Sequence, residues 1–193
     1  MKPAKQTRQS YTYADYQQWP EGERWELIDG EAYAMSPAPT RTHQAVVVEL
    51  VRQIANFLEG KPCQVFVAPF DVRLPERNEA DDQIETVVQP DIVVVCDESK
   101  LDEKGCRGAP DWVIEVLSPS TACKDHVRKK SLYERHGVRE YWLVHPTDHV
   151  LTRYRLEGKA FGPALIDETE GSTEVGGLPG LAIEWGFMTT DTD

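Results

Sequence analysis

The sequence predicts an α/β (α+β) fold in which helices flank a central mixed sheet. Residues 42–58 carry apolar side chains at helical spacing, and short apolar runs of strand length follow them. The predicted order α-ββ-α-β-β-β-α-β-ββ is typical of a mixed layout around one sheet. The segment from Asp111 to Val144 is predicted to form a strand, a helix and a second strand, an order that indicates a right-handed crossover.

The first third of the chain predicts a short helix, a hairpin and a long helix. Thr12 is a suitable N-cap for a helix over residues 13–19. Asp29-Gly30 between two short strands is a strong signal for a two-residue hairpin turn. The helix over residues 42–58 is followed by Gly60, a typical C-terminal stop.

The rest of the chain predicts mainly strands. The polar stretches 75–86 and 97–109 are predicted loops. Pro69 lies inside an apolar segment and makes it an edge strand or a bent strand. The predicted elements are strands over 64–74, 87–96 and 111–117, a helix over 124–136, a strand over 140–144, a hairpin over 150–166 and a last strand near 181–185.

The length and composition predict one globular domain. The chain has 193 residues, which is the size of a single domain. We expect residues 1–11 to be flexible, residues 12–188 to form the domain and residues 189–193 to form an acidic tail. No apolar run approaches the roughly 20 residues of a membrane helix, and no apolar segment follows the basic N-terminus. We therefore expect a cytoplasmic protein without a membrane partner.

The charge balance limits the classes of partner. With 21 Lys and Arg against 33 Asp and Glu, the formal net charge is −12. A general nucleic-acid binder normally carries a basic domain, because it must neutralise phosphates. Nucleic-acid binding here would need a local basic patch or metal ions.

The cysteines show no metal-binding pattern. No pair has C-x-x-C spacing, and no histidine stands at zinc-finger spacing from them, which argues against a structural zinc site. We expect free thiols at all four positions, which are Cys63, Cys96, Cys106 and Cys123.

Two acidic residues stand in strongly apolar strands. Asp91 lies at the entrance of one such strand, and Glu115 interrupts another. A buried carboxylate needs a partner, a proton or a metal ion, because burying it unpaired costs several kcal/mol. If the strands are neighbours, the carboxylates can converge into a hard-oxygen site suited to Mg²⁺. Alternatively, each acid pairs with an arginine or lysine, or Asp91 caps a turn.

The helix over residues 124–136 carries the main cluster of positive charge. Lys129 and Tyr133 share one face at i, i+4 spacing, so Lys129 is expected to point towards the sheet and its acids. A solvated basic face is the alternative. His43 and Glu31 are further candidates, and they could equally be a hydrogen-bonded core histidine and a surface residue.

Several of these residues together resemble the Uma-two family of "putative restriction endonucleases", which belongs to the PD-(D/E)XK nuclease superfamily. The resemblance covers about residues 12–187, and the block from Asp111 to Pro146 is its most specific part. The matching pieces are Glu26-Leu27-Ile28-Asp29-Gly30-Glu31, Met35-Ser36-Pro37, His43, Pro90-Asp91, Glu115, Ser118-Pro119-Ser120-Thr121, Asp125, Lys129, Tyr133, Gly137-Val138, Glu140-Tyr141-Trp142-Leu143-Val144 and Leu178-Pro179-Gly180-Leu181.

The resemblance implies a restriction-endonuclease-like fold and a set of site residues. Asp91 matches the first acid of the superfamily and Glu115 matches the second. The usual lysine stands two residues after the second acid, where this chain has Leu117, and Lys129 of the following helix is the match instead. His43, Glu31 and Tyr133 are implied as accessory residues.

The implied activity is Mg²⁺-dependent (or Mn²⁺-dependent) hydrolysis of DNA. Asp91, Glu115 and the Val116 carbonyl would hold the ion. The cations expected to contact nucleic acid are Lys124, Arg128 and Lys130.

A homodimer is expected because an enzyme that cuts both strands often presents two sites, and the apolar residues 181–188 could supply the pairing edge. Two alternative functions remain open. One is a nuclease-fold interaction or regulatory module without hydrolysis, motivated by Leu117 and the acidic charge. The other is a metal-dependent hydrolase of RNA or small phosphate esters.

Overall fold

The computed structural model describes residues 10–20, 22–35, 39–117 and 124–189. In these ranges the helices are α1 (Tyr13–Tyr16), α2 (Arg41–Leu58) and α3 (Lys124–His136). The strands are β1 (Trp25–Ile28), β2 (Glu31–Ala34), β3 (Gln64–Val67), β4 (Val72–Arg73), β5 (Val87–Val88), β6 (Ile92–Val95), β7 (Leu101–Asp102), β8 (Gly105–Arg107), β9 (Trp112–Val116), β10 (Glu140–His145), β11 (Val150–Glu157), β12 (Ala160–Phe161), β13 (Leu165–Glu168), β14 (Ser172–Glu174) and β15 (Ala182–Glu184). Short 3₁₀ turns lie at Asp81–Gln83, Glu98–Lys100 and Gly186–Thr189.

The predicted mixed α+β fold is confirmed, but the strands form two large sheets rather than one central sheet. The first sheet has the order β2-β1-β5-β4-β8-β7. The second has the order β12-β11-β10-β9-β6-β3, with β13 beside β11, while β14 and β15 pair separately. The chain changes sheet at Pro69, between β3 and β4, and at Pro90-Asp91, between β5 and β6. Proline lacks the N–H that a continuous ladder needs, so each predicted long strand is divided.

The strongest local signals in the sequence are confirmed. Asp29 and Gly30 both adopt positive φ, 51° and 74°, as a two-residue turn between β1 and β2 requires. Helix α2 starts after Thr40, whose side chain accepts a hydrogen bond from the His43 amide. Helix α3 has the predicted bounds. The predicted loop 97–109 is wrong in part, because the short hairpin of β7 and β8 lies there, and strands of two or three residues are too short to show alternation.

The second sheet is covered on both faces. Ile92 and Val94 of β6 face a core shared with α2, whereas Val93 and Val95 face a core shared with α3 and the first sheet. Because side chains alternate along a strand, a strand buried on both faces reads as a continuous apolar run. Leu50 and Ile54 of α2 are fully buried against it, and each contributes about 1.5–3 kcal/mol of burial free energy.

The apolar C-terminal segment does not offer the expected pairing edge. Leu181, Ile183, Trp185 and Met188 are buried in the same core as α2. Their apolar surface stabilises the chain's own core and is unavailable to a second copy.

The expectation of four free thiols is wrong for two of them. Cys63 and Cys96 form a disulfide, with their Cα atoms 3.9 Å apart. The antiparallel register of β3 and β6 pairs Gln64 with Val95, so the two cysteines stand opposite each other one step further. Cys106 is a buried free thiol, and burial raises its pKa to about 11. Cys123 lies outside the described residues.

Tyr11 is tied to the first hairpin, since its amide donates to the Gly30 carbonyl at 2.9 Å. Ser10 is also described, and its hydroxyl donates to Glu85, whereas residues 1–9 and most of the acidic tail lie outside the described ranges. Among the helices described, none combines the length and the apolar composition needed to cross a lipid bilayer.

Candidate active site

Strand register brings the two acids of the apolar strands together. β6 and β9 are antiparallel neighbours in which Ile92 pairs with Ile114. One step further along this register, Asp91 stands opposite Glu115, so both side chains leave the same face of the sheet. The Asp91 Oδ2 atom accepts a hydrogen bond from the Val116 amide at 2.8 Å. Among the described residues, Glu115 does pair with a lysine, Lys129, whereas Asp91 contacts no arginine or lysine, so the pairing alternative holds for Glu115 alone.

His43 joins Asp91 from helix α2. Its Nε2 atom lies 3.2 Å from Asp91 Oδ2, and the histidine is buried. Burial lowers the pKa of His43, but Asp91, Glu115 and the Val116 main chain outweigh burial and raise it. Its Nδ1 atom is buried and has no hydrogen-bond partner among the described residues.

Glu115 is held by two side chains of α3. Its Oε1 atom accepts hydrogen bonds from Lys129 Nζ and from the Tyr133 hydroxyl, both at 3.0 Å. The predicted inward direction of Lys129 is confirmed, and Leu117 instead packs against the apolar core. Burial raises the pKa of Glu115, and Lys129 opposes that rise. Burial also raises the pKa of Tyr133, with Glu115 adding to the effect, so this hydroxyl stays protonated and donates.

Lys129 contacts a second buried acid, Glu26 of β1, which the residue-by-residue reading missed. The Lys129 Nζ atom lies 2.8 Å from Glu26 Oε1, closer than to Glu115. Burial alone would lower the pKa of Lys129, but Glu115 and Glu26 together raise it, so the ammonium stays charged. Glu26 shares a face of β1 with the buried Ile28, but Leu27 between them is buried as well, so alternation does not single out Glu26.

The free oxygen atoms of the two acids decide whether a hard divalent cation could bind here. Within the described part of the chain, neither Oδ1 of Asp91 nor Oε2 of Glu115 makes a hydrogen bond, so each acid keeps one oxygen for a ligand. Glu26 and Glu115 share one lysine ammonium, and Asp91 stands opposite Glu115, so the three carboxylates together leave negative charge for a cation to neutralise. No group of three or more His, Cys, Asp or Glu side chains in those ranges is arranged to hold a metal ion. The donor set would therefore be two carboxylates and main-chain oxygen, which suits Mg²⁺ or Mn²⁺.

Of the remaining predicted residues, Glu31, Arg128 and Lys130 make no contact with these two acids within the described ranges. Glu31 accepts a hydrogen bond from the Tyr33 hydroxyl at 2.6 Å. Arg128 stacks over the Tyr33 ring at 4.3 Å, and Lys130 stands over the Tyr154 ring at 5.0 Å. The Lys124 side chain lies outside the described part of the structure. Arg128 and Lys130 therefore lie over aromatic rings and not beside the two acids.

The positive charge of α3 is partly neutralised. Arg135 pairs with Asp29 and Glu76, and Arg139, three residues beyond the end of the helix, pairs with Asp111 at 3.0 Å. Arg128 is exposed and has no carboxylate within 4.0 Å among the residues that the structure describes. Arg128 is therefore the cation of this helix best able to meet an external anion.

The chain is similar to known proteins over most of its length. A family model described as "Uma2: Putative restriction endonuclease" matches residues 13–186. The uncharacterized protein slr1290 of Synechocystis sp. is 29% identical over 143 residues, which are 72% of this chain and 71% of that protein. A crystal structure described as a putative nuclease belonging to DUF820, from Anabaena variabilis, has a TM-score of 0.67 at 22% identity. That likeness covers 85% of this chain and 88% of the other, and it shows the same fold. The match over nearly the whole chain shows that the protein belongs to the Uma2 family of "putative restriction endonucleases".

Proposed function

We propose that the protein is a metal-dependent endonuclease that hydrolyses phosphodiester bonds of DNA, with Mg²⁺ or Mn²⁺ as cofactor. The observation that carries this proposal is the meeting of Asp91, Glu115 and Lys129 at one point, although the lysine comes from a helix instead of from the strand of Glu115. Membership of a family of "putative restriction endonucleases" supports the same reaction class.

Each residue of the site has a role that follows from its contacts. Asp91 and Glu115, with the Val116 carbonyl, would hold the ion, which when bound makes water a better nucleophile and stabilises negative charge on phosphate. Tyr133 fixes the orientation of Glu115, and His43 fixes that of Asp91. Lys129 places a positive charge beside Glu115, where it stabilises the charge that develops on a phosphate oxygen.

DNA would approach along the exposed side of α3. Arg128 is free of carboxylate partners in the described ranges, and we propose that it contacts the phosphate backbone together with Lys124 and Lys130. Because the whole chain carries a net charge of −12, we expect weak binding that depends on the metal ion and decreases with salt. We also propose a cytoplasmic homodimer, whose mass in solution at micromolar concentration tests the dimer.

The test measures Mg²⁺-dependent cleavage of plasmid DNA by Asp91→Asn and Glu115→Gln. Each change removes one negative charge and keeps the shape, so we expect at least about a 10²-fold loss of rate in both. Asp111→Asn and Glu140→Gln are matched controls, because Asp111 also precedes a strand and Glu140 is also buried in one. Both controls should cleave at the wild-type rate.

The outcomes separate the alternative functions. Cleavage that survives in both site variants contradicts the assignment of Asp91 and Glu115. A wild-type protein that binds no Mg²⁺ or Mn²⁺ at millimolar concentration by calorimetry would instead be a non-hydrolytic module, as Leu117 in the usual lysine position suggests. Cleavage of RNA or a small phosphate ester, without cleavage of DNA, would reassign the substrate.

A further inference from the structure

We infer that Glu26 is the positioning residue that holds Lys129 in the site and ties it to the chain segment that carries Asp91. This inference rests on the proposed function, since it assigns a role within the same site. Glu26 stands on β1 of the first sheet, whereas Asp91 and Glu115 belong to the second sheet. Among the described residues its carboxylate contacts Lys129 and the Gln89 amide, so its proposed role is exerted through the lysine.

One oxygen atom of Glu26 makes both connections. Its Oε1 accepts from Lys129 Nζ at 2.8 Å and from the Gln89 amide at 3.0 Å. Gln89 lies two residues before Asp91, in the segment where the chain passes from β5 to β6. The same carboxylate therefore fixes the helix-borne cation and the segment that presents the first acid.

The displaced lysine explains why a second anchor is needed. A lysine two residues after Glu115 would be fixed by the strand itself, but this position is Leu117. Lys129 instead reaches the site from α3 through a flexible four-carbon side chain. Its ammonium has three N–H donors, of which Glu26 and Glu115 use two. The third N–H is then directed by the other two towards a water or phosphate oxygen.

A purely structural ion pair is the competing explanation. A buried lysine needs acidic partners for stability whether or not it takes part in a reaction. The two explanations differ in what Glu26 controls. A structural pair affects folding and metal binding together, whereas a positioning residue affects the rate of the chemical step and leaves both largely intact.

The decisive variant is Glu26→Gln, with Glu140→Gln as a matched control. Glu140 is also a buried glutamate, and it accepts from the Gly176 and Gly177 amides instead of from a lysine. We expect kcat of Glu26→Gln to fall about 10- to 100-fold, with KM for DNA and Kd for Mn²⁺ unchanged. Adding the change to Lys129→Met should cause no further loss, because the two residues act as one unit. A fall in Mn²⁺ affinity equal to the fall in kcat, or an unchanged kcat, overturns the inference.

A second measurement does not depend on activity. In ¹⁵N-lysine-labelled protein, a buried and hydrogen-bonded Lys129 ammonium should give a slowly exchanging N–H signal. We expect this signal to disappear in Glu26→Gln and to persist in Glu140→Gln. A signal that persists in Glu26→Gln overturns the inference even if the wild type cleaves DNA. A wild type that does not cleave sinks the proposed function alone, while the signal still decides whether Glu26 holds the Lys129 ammonium in place. If Glu26→Gln does not fold, Glu26→Asp takes its place, because it keeps the charge but shortens the side chain. We expect Glu26→Asp to weaken the Lys129 N–H signal. A signal of unchanged strength would count against the inference.

Discussion

Lys129 contacts carboxylates that belong to two different sheets, Glu26 of β1 and Glu115 of β9. Asp91 and Glu115 could be found in the sequence because an acid inside an apolar strand has few structural explanations. Lys129 could be found because it stands one helical turn before Tyr133. Glu26 could not be singled out in the same way, because its strand is short and alternates only weakly. Whether Glu26 of the first sheet reaches residues near the second sheet depends on how the two sheets pack together, and a single sequence does not show that packing.

The neighbouring lysines of α3 allow a direct comparison. Lys129→Met should lower the rate of DNA cleavage by about 10²- to 10³-fold, because it removes the cation beside Glu115. Lys130→Met removes the same charge from a side chain that lies over Tyr154, 4.0 Å from Glu134, and should cost less than about 10-fold. Initial rates on one plasmid substrate at fixed Mg²⁺ give both values. Equal losses in the two variants would mean that only the overall charge of the helix matters.

The elements of the first sheet are joined by one buried arginine, Arg73 of β4. It is fully buried, and its guanidinium contacts Asp81 of a 3₁₀ turn at 2.5 Å and Asp102 of β7 at 2.6 Å. The helices and the first hairpin were predictable because their signals are local. The division into two sheets was not, since Arg73 and the short strands around it pair with residues that are distant in sequence.

Arg73→Met should destabilise the protein in a pH-dependent way. Burial would raise the pKa of Asp102, but the hydrogen bond from Arg73 outweighs it and lowers the pKa. A lowered carboxylate pKa contributes stability that is present above the unfolded value of about 3.9 and is lost as the pH falls through the folded value. We expect a loss of about 1–3 kcal/mol at neutral pH, less than for a fully buried pair because both acids are partly exposed.

Urea denaturation across the pH range tests this expectation. The difference in unfolding free energy between wild type and Arg73→Met should narrow as the pH falls below about 4. Arg52→Met, which breaks an exposed pair with Glu49, serves as the control and should change little at any pH. A difference that stays constant or grows in acid would show that packing, and not the ion pair, accounts for the loss.

At the scale of the whole molecule, an acidic chain presents a site that must receive a polyanion. The net charge of −12 was apparent from composition, and it required either a local basic surface or a metal ion. In the structure Arg135 of α3 is paired with Asp29 and Glu76, and Arg139 just after the helix is paired with Asp111. Whether the basic helix or a metal ion supplies most of the positive charge for a polyanion depends on which cations are already paired with acids. That pairing is set by the three-dimensional structure, so the sequence alone could not decide between the two.

The most direct measurement is a crystal structure of the wild-type protein soaked in Mn²⁺, with anomalous data. A cation between the two facing acids predicts one strong anomalous peak at about 2.1 Å from an oxygen of Asp91 and an oxygen of Glu115, with the Lys129 ammonium still bound to Glu26. If, at saturating Mn²⁺, no anomalous peak lies between the two acids and both carboxylates make only hydrogen bonds to protein groups, the account is contradicted.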